Sequence, residues 1–295
     1  MVSFLCYRMG AVLARYLPPH ISNSMTGIIA RSQYYLRTGS RRTVLANLRI
    51  VMGREASEKE IHAAAKNLFS NFGKSIYCFL RLPSTSLEEL RARCDYGGID
   101  VVARELRGKG AFIIAGPHVG PWEVGGACLS ALGLRIHTVA LDHPSGQVTG
   151  FFEARRRMTG IVSHPIGRSF SPLCDALQHG GCVALLIDRT YGRSPQSFQM
   201  FGRSILLPTG HAALAVRCRV PILTAVCVFA PGGTFKFVFN GPYYPDTSLG
   251  EKAAVEDLHR RCRTDMEQFI RRQPDQWFNF RSLEGEDEWP AISTQ

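Results

Sequence analysis

The chain has 295 residues, of which 45% are hydrophobic and 20% charged, so it can bury a sizeable core and is not of the disordered type. Its formal net charge of +11 favours anionic partners such as nucleic acid, acidic lipids or an acidic carrier protein. The nine cysteines include no Cys-x-x-Cys pair, which argues against a disulfide framework and a tetrahedral zinc site and fits a reducing compartment.

Residues 1–17 are the most apolar stretch, but they fall short of the roughly 18 to 20 uninterrupted apolar residues of a transmembrane helix. Arg8 and Arg15 lie seven residues apart and share one side of a helix. The opposite side carries an apolar stripe of Val2, Leu5, Met9, Val12, Leu13 and Tyr16. This pattern is typical of a helix lying in a membrane surface, and a first helix packed on the domain is the alternative.

Residues 1–95 are predicted to form a helical N-terminal region. Ser57-Glu-Lys-Glu60 is a capping box, in which a serine and a glutamate satisfy the free N–H groups of a helix start. An apolar run with helical period follows from Ile61 to Phe79, and Pro83 ends it.

From residue 97 to 281, short apolar runs alternate with amphipathic segments, which predicts an α/β core with a mainly parallel central sheet covered by helices. The whole chain is predicted to be a single domain, with residues 284–295 as a loose tail. Strands are predicted at Ala111–Ala115, Ile136–Leu141, Cys182–Ile187, Ile222–Phe229 and Phe235–Phe239. Helices are predicted near 99–107, 122–132, 147–159, 170–178, 209–218 and 251–272.

His118 and Glu123 lie where the first of these strands passes into a helix, in the stretch Gly116-Pro-His-Val-Gly-Pro-Trp-Glu123. Gly120 is suited to the N-cap and Pro121 to the first helical position. With His118 on the loop and Glu123 on the first turn, the two side chains are predicted to pair. The carboxylate would fix the imidazole tautomer and leave the other ring nitrogen as a general base.

The same stretch resembles the His-x4-Asp/Glu motif of lysophospholipid-type acyltransferases. It is most similar to the lipid A biosynthesis lauroyl/myristoyl branch, which favours His-x-Gly-Asn-Trp-Glu, with Pro121 here in place of Asn. Further stretches resemble that family between about residues 41 and 281. They are Arg42 with Asn47-Leu48, Gly180–Asp188, Phe201-Gly202, Thr209–Ala215, Val220-Pro-Ile and Pro274-Asp-Gln-Trp277.

The resemblance implies a glycerolphosphate acyltransferase-like fold and an acyltransferase with His118 and Glu123 as catalytic residues. Its acyl donor would be a thioester of acyl carrier protein or CoA, and its acceptor a lipid hydroxyl, with lipid A precursors as the first expectation. No metal or redox cofactor is implied. The predicted location is the anionic cytoplasmic face of the bacterial inner membrane, peripheral or monotopic.

Further substrate-binding candidates surround this pair of residues. Asp188 ends an apolar run and Arg189 stands where the family has Gln. Arg168 precedes a helix start at Ser169-Phe170, which is suited to an anion. Trp122 and the loop at Thr209 are expected to line the acyl or acceptor channel, and the oxyanion is expected to meet backbone N–H groups of the Gly-rich turn or an arginine.

Several alternatives stay open at this point. A serine hydrolase is disfavoured because the chain lacks a Gly-x-Ser-x-Gly elbow, and nucleic-acid binding is not expected because no recognised module is present. Among acyltransferases, the acceptor can also be a lysophospholipid, a mannoside or a product of a biosynthetic cluster.

Overall fold

The computed structural model describes residues 2–16, 19–100, 102, 110–141, 143, 145–190 and 196–283. The predicted tail and nearly all of the predicted helix at 99–107 lie outside these residues. The N-terminal region is helical, as predicted. Its helices are α1 (Val2–Tyr16), α2 (Pro19–Leu36), α3 (Thr38–Met52), α4 (Glu58–Arg81) and α5 (Leu87–Ala92).

The capping box predicted at the start of α4 is confirmed. The Ser57 side chain accepts from the Glu60 backbone N–H, and the Glu60 carboxylate accepts from the Ser57 N–H at 2.8 Å. Both free N–H groups are thereby satisfied. The buried face of α4 packs against α3 and against the C-terminal Phe278, which forms a helical core beside the sheet.

The central sheet has seven strands in the order β1-β9-β8-β2-β5-β3-β4. Five of the six neighbouring strand pairs are parallel, and the β8–β9 pair is antiparallel. The sheet strands are β1 (Cys94–Asp95), β2 (Phe112–Gly116), β3 (Ile136–Ala140), β4 (Ile161–Pro165), β5 (Cys182–Leu186), β8 (Ile222–Ala230) and β9 (Thr234–Tyr243). A separate antiparallel hairpin contains β6 (Gln196–Met200) and β7 (Arg203–Leu207).

Helices cover both faces of the sheet, because each buried strand has apolar side chains on both sides. They are α6 (Trp122–Ala131), α7 (Gly146–Met158), α8 (Phe170–Gln178), α9 (Gly210–Cys218) and α10 (Glu251–Arg272). One apolar core lies between the sheet and the helices α8, α9 and α10, and a second lies on the face that α6 covers. The predicted α/β class is confirmed.

The apolar stripe predicted on α1 faces outward. Leu5, Met9, Val12 and Leu13 are exposed, whereas Ala14 is buried against the domain. The helix packs on the domain through Ala14 and through Phe4 and Tyr7, which contact Phe151 and Phe152. It leaves the apolar side chains of the stripe uncovered. Of the helices in the described part of the chain, none is both long and apolar enough to cross a membrane.

Candidate active site

The loop that carries His118 begins where β2 ends, and close backbone packing fixes its course. Gly120 has φ +64°, and a Cβ atom there would lie 2.1 Å from the Cys227 carbonyl oxygen on β8. Only glycine fits a left-handed position with so close a neighbour. The helix that follows starts at Trp122, as predicted, but its N-cap is Pro121 and not Gly120.

His118 pairs with Asp188 and not with Glu123, so the predicted pairing is wrong. His118 Nδ1 lies 2.6 Å from Asp188 Oδ1, and both side chains are buried. The sheet register explains this contact. Gly116 and Leu186 are partners on the neighbouring parallel strands β2 and β5, and His118 and Asp188 each follow two residues later. They therefore leave the same edge of the sheet side by side.

The C-terminal segment holds this pair in place. Trp277 donates its indole N–H to Asp188 Oδ2 at 2.8 Å, so each carboxylate oxygen has its own donor. The backbone N–H of Phe278 donates to the His118 carbonyl, and that of Gly120 donates to the Gln276 carbonyl. The family-like Pro274–Trp277 motif thus closes a short ladder against the His118 loop.

The electrostatics favour a neutral imidazole beside an ionised carboxylate. Burial lowers the pKa of His118, while Asp188 acts to raise it and Arg189 to lower it further. Burial alone would raise the pKa of Asp188, but His118, Arg189 and Trp277 together hold that pKa well below its usual range. An ionised carboxylate only accepts hydrogen bonds, so Nδ1 of His118 carries the proton and Nε2 keeps its lone pair.

Glu123 has a different partner, Arg156 in the last turn of α7. The guanidinium Nη2 and Nε lie 2.6 Å and 3.1 Å from Glu123 Oε1, in a two-pronged ion pair that is largely buried. Burial acts to lower the pKa of Arg156, but Glu123 raises it overall. The pair ties the start of α6 to the end of α7, and the charge of Glu123 still acts to raise the pKa of His118.

A cavity of about 520 Å³ opens beside His118 at the carboxyl edge of the sheet. Its wall also includes Trp122, Glu123, Arg156 and Arg189. One part of the cavity, here called the apolar arm, enters the core on the α6 face of the sheet. The apolar arm is lined by Ile114, Leu129, Ile136, Ile161, Ala184 and Phe237.

The structure brings some of the predicted substrate-binding residues to this cavity. Trp122 lines it, with its ring edge-on to His118 at 5.0 Å between centroids. Arg189 lines it and donates to the Phe278 carbonyl, while its Nε is buried without a partner among the described residues. Arg168 is exposed, and Thr209 lies just before α9. At these two places the cavity wall is formed by the neighbouring residues Gly167, Ser169 and Gly210.

Sequence reasoning did not identify the roles of Arg156 and Trp277. Arg156 belongs to a visible run of three arginines, but a run of charge does not reveal which member turns inward. Trp277 lies in a motif that resembles the family, yet its bond to Asp188 joins residues 89 positions apart. A partner that distant becomes evident only in the folded chain.

Comparison with known proteins identifies the family of the chain. A family model described as bacterial lipid A biosynthesis acyltransferase matches residues 2–283. A phosphatidylinositol mannoside acyltransferase of Mycobacterium tuberculosis is 25% identical over 259 residues, which is 84% of this chain and 79% of that protein. The protein of the same description from Mycolicibacterium smegmatis is 27% identical over 263 residues, 86% of this chain and 83% of that one.

The match confirms the family that the motifs around His118, Asp188 and Trp277 resemble. It extends through both the helical region and the α/β core. The chain therefore belongs to the bacterial lipid A biosynthesis acyltransferase family and is an acyltransferase.

Proposed function

We propose that this protein transfers a fatty acyl chain from a thioester donor to a sugar hydroxyl of a mannoside-type membrane glycolipid. The observation that carries the proposal is the chain of hydrogen bonds from Trp277 through Asp188 to His118, at the mouth of a cavity with an apolar arm. The choice of a mannoside over a lipid A precursor is supported by the two curated relatives, both described as phosphatidylinositol mannoside acyltransferases.

In the proposed reaction, His118 Nε2 takes the proton from the acceptor hydroxyl as its oxygen attacks the thioester carbonyl carbon. The tetrahedral intermediate collapses and the C–S bond breaks. The imidazolium of His118 gives its proton to the departing sulfur, which leaves as a free thiol, and His118 returns to its neutral form. Asp188 orients the ring and stabilises the imidazolium. Glu123 adds negative charge nearby, while Arg156 fixes its position.

The oxyanion of that intermediate needs donors, and the Gly-rich turn offers few. The backbone N–H groups of Val119, Gly120 and Trp122 already donate within the protein, and Pro121 has none. Arg189 lines the cavity with a buried Nε that has no partner among the described residues. We assign the stabilisation of the oxyanion to Arg189, since a guanidinium beside a forming negative charge lowers the barrier most where water is excluded.

The acyl chain is proposed to occupy the apolar arm. Ala184→Leu places extra carbon atoms there, because Ala184 lies half-buried on the wall between Ile114 and Thr138. Each methylene kept out of the arm loses about 0.8 kcal/mol of burial, which is about fourfold in kcat/KM. We expect the preferred chain to shorten by about two methylenes, measured with a series of acyl thioesters. Ala253→Leu, at an exposed position on α10, is the matched control.

The N-terminal helices are proposed to rest on an anionic membrane. The first 54 residues contain eight arginines and no acidic residue. Anionic lipid head groups attract a surface that carries this positive charge. Met9 on α1 is 64% exposed and Ile28 on α2 is 70% exposed. Large apolar side chains uncovered on a basic surface are typical of interfacial helices.

Met9→Glu combined with Ile28→Glu is expected to lower partition onto vesicles containing anionic phospholipid by more than about tenfold, because two apolar anchors become charges. Cosedimentation measures this directly. Leu249→Glu alters an exposed leucine in the loop before α10 and should leave partition unchanged. If Leu249→Glu lowers vesicle binding as much as the Met9→Glu/Ile28→Glu variant does, added negative charge in general, and not the N-terminal surface, accounts for the loss of binding.

The proposed function is tested by supplying the purified protein with acyl-CoA or acyl carrier protein thioesters and separate acceptors. The acceptors are a phosphatidylinositol mannoside, a lipid A precursor and a lysophospholipid. Mass spectrometry should find one added acyl group on the mannoside, and one free thiol should be released for each acyl group transferred. Acylation of the lipid A precursor alone would overturn the proposed acceptor and leave the reaction class intact.

A further inference from the structure

Two buried histidines outside the His118 pair have no hydrogen-bond partner for any ring nitrogen in the described part of the chain. They are His211, 2% exposed, and His259, 0% exposed, with ring centroids 5.3 Å apart. A neutral imidazole carries one donor and one acceptor. Burying the donor and the acceptor without hydrogen-bond partners is unfavourable. Such groups in a native fold are therefore expected to bond a ligand or a water molecule.

His211 lies on the wall of the substrate cavity. It follows Gly210 in the first turn of α9, and both residues line the same cavity as His118 and Arg189. His259 is fully buried on α10, where its ring packs between those of Phe198, at 4.1 Å, and His211. The two histidines therefore differ in position, since His211 is part of the cavity wall and His259 lies behind it.

The charge state of His211 indicates the class of ligand. Burial, with a contribution from His259, lowers the pKa of His211 to about 3, and burial and Arg263 lower that of His259 to about 4. Both rings are therefore neutral at physiological pH. A neutral ring with two unused nitrogens is complementary to a hydroxyl, which both donates and accepts. A phosphate only accepts and is better matched by a cation.

We propose that His211 is a specificity-determining residue that hydrogen-bonds a sugar hydroxyl of the acceptor within the cavity. This hydroxyl is distinct from the one that His118 deprotonates. The inference rests on the proposed glycolipid acceptor and adds the residue that recognises its head group. His259 packs against Phe198 and His211 and is not assigned a contact with the acceptor.

His211→Leu removes both nitrogens and keeps an apolar side chain of similar bulk. We expect KM for the mannoside acceptor to rise about tenfold, the effect of one lost hydrogen bond, while kcat and the KM of the acyl thioester stay within about twofold. His211→Asn retains a donor and an acceptor and should recover part of the loss. Methyl mannoside should raise the Tm of the parent protein and not that of His211→Leu.

His259→Leu is the matched control, because it also removes two unpartnered buried nitrogens but lies behind the cavity wall. Its acceptor KM should equal that of the parent. An unchanged acceptor KM in His211→Leu, or a rise confined to the thioester KM, overturns the inference. If the parent transfers no acyl group to any glycolipid, the proposed function fails, and the methyl mannoside effect on Tm still decides whether His211 binds a sugar.

Discussion

Replacing His118 with asparagine is expected to lower kcat for acyl transfer by about a thousandfold, within the range for loss of a general base. Asparagine keeps an N–H to donate to Asp188, so the buried carboxylate retains both of its hydrogen bonds and the fold is preserved. The rate of thiol release with saturating donor and acceptor measures the effect. His179→Asn, an exposed histidine at the end of α8, is the control and should keep full activity.

The pH dependence of the parent protein tests the same role. The imidazole acts as a base only when it is neutral, so kcat/KM falls as pH drops through the pKa of His118. Burial lowers that pKa, which predicts a flat profile from pH 8 to below the ordinary histidine value of about 6.5. A rate that increases toward acid pH, or His118→Asn with more than a tenth of the parent activity, contradicts the proposed base.

The sequence contains enough information to find His118 and Asp188 separately but not to pair them. Each follows a buried apolar run, and reactive groups gather at the carboxyl ends of parallel strands. Their contact depends on β5 lying next to β2, although β3 and β4 come between them along the chain. Local spacing favoured Glu123 because it is near in sequence, whereas the strand order that brings Asp188 to His118 is a property of the whole sheet.

The β6–β7 hairpin is a second feature that the sequence alone does not predict. Its turn is formed by Phe201 and Gly202 with φ of +55° and +71°. Two left-handed residues in succession form a tight hairpin turn, normally marked by Asn-Gly or Asp-Gly. Phenylalanine is unfavourable there, but its ring is buried 6.0 Å from that of Trp277. Tertiary packing overrides the local preference, so turn chemistry alone does not predict the hairpin.

Asp188→Asn is expected to lower kcat by about a hundredfold to ten-thousandfold, because it forces the wrong imidazole tautomer. Asparagine has one accepting oxygen, and the Trp277 indole can only donate, so that oxygen turns toward Trp277. The amide nitrogen then faces His118 and donates to Nδ1. His118 must carry its proton on Nε2, the nitrogen needed as the base. Glu123→Gln, which weakens the pair with Arg156 and removes the negative charge near His118, is expected to cost about tenfold.

Removal of the indole donor should reverse part of that loss. In the double variant Asp188→Asn/Trp277→Phe, the amide is free to turn its oxygen to His118, which restores the active tautomer. We therefore expect the double variant to exceed Asp188→Asn in kcat by several-fold, although Trp277→Phe alone removes a buried hydrogen bond worth about 1 kcal/mol. Tm values of all variants separate folding from catalysis. If Glu123→Gln abolishes turnover while Asp188→Asn retains it, Glu123 and not Asp188 orients His118 during the reaction, since the geometry of a catalytic pair can change when substrate binds.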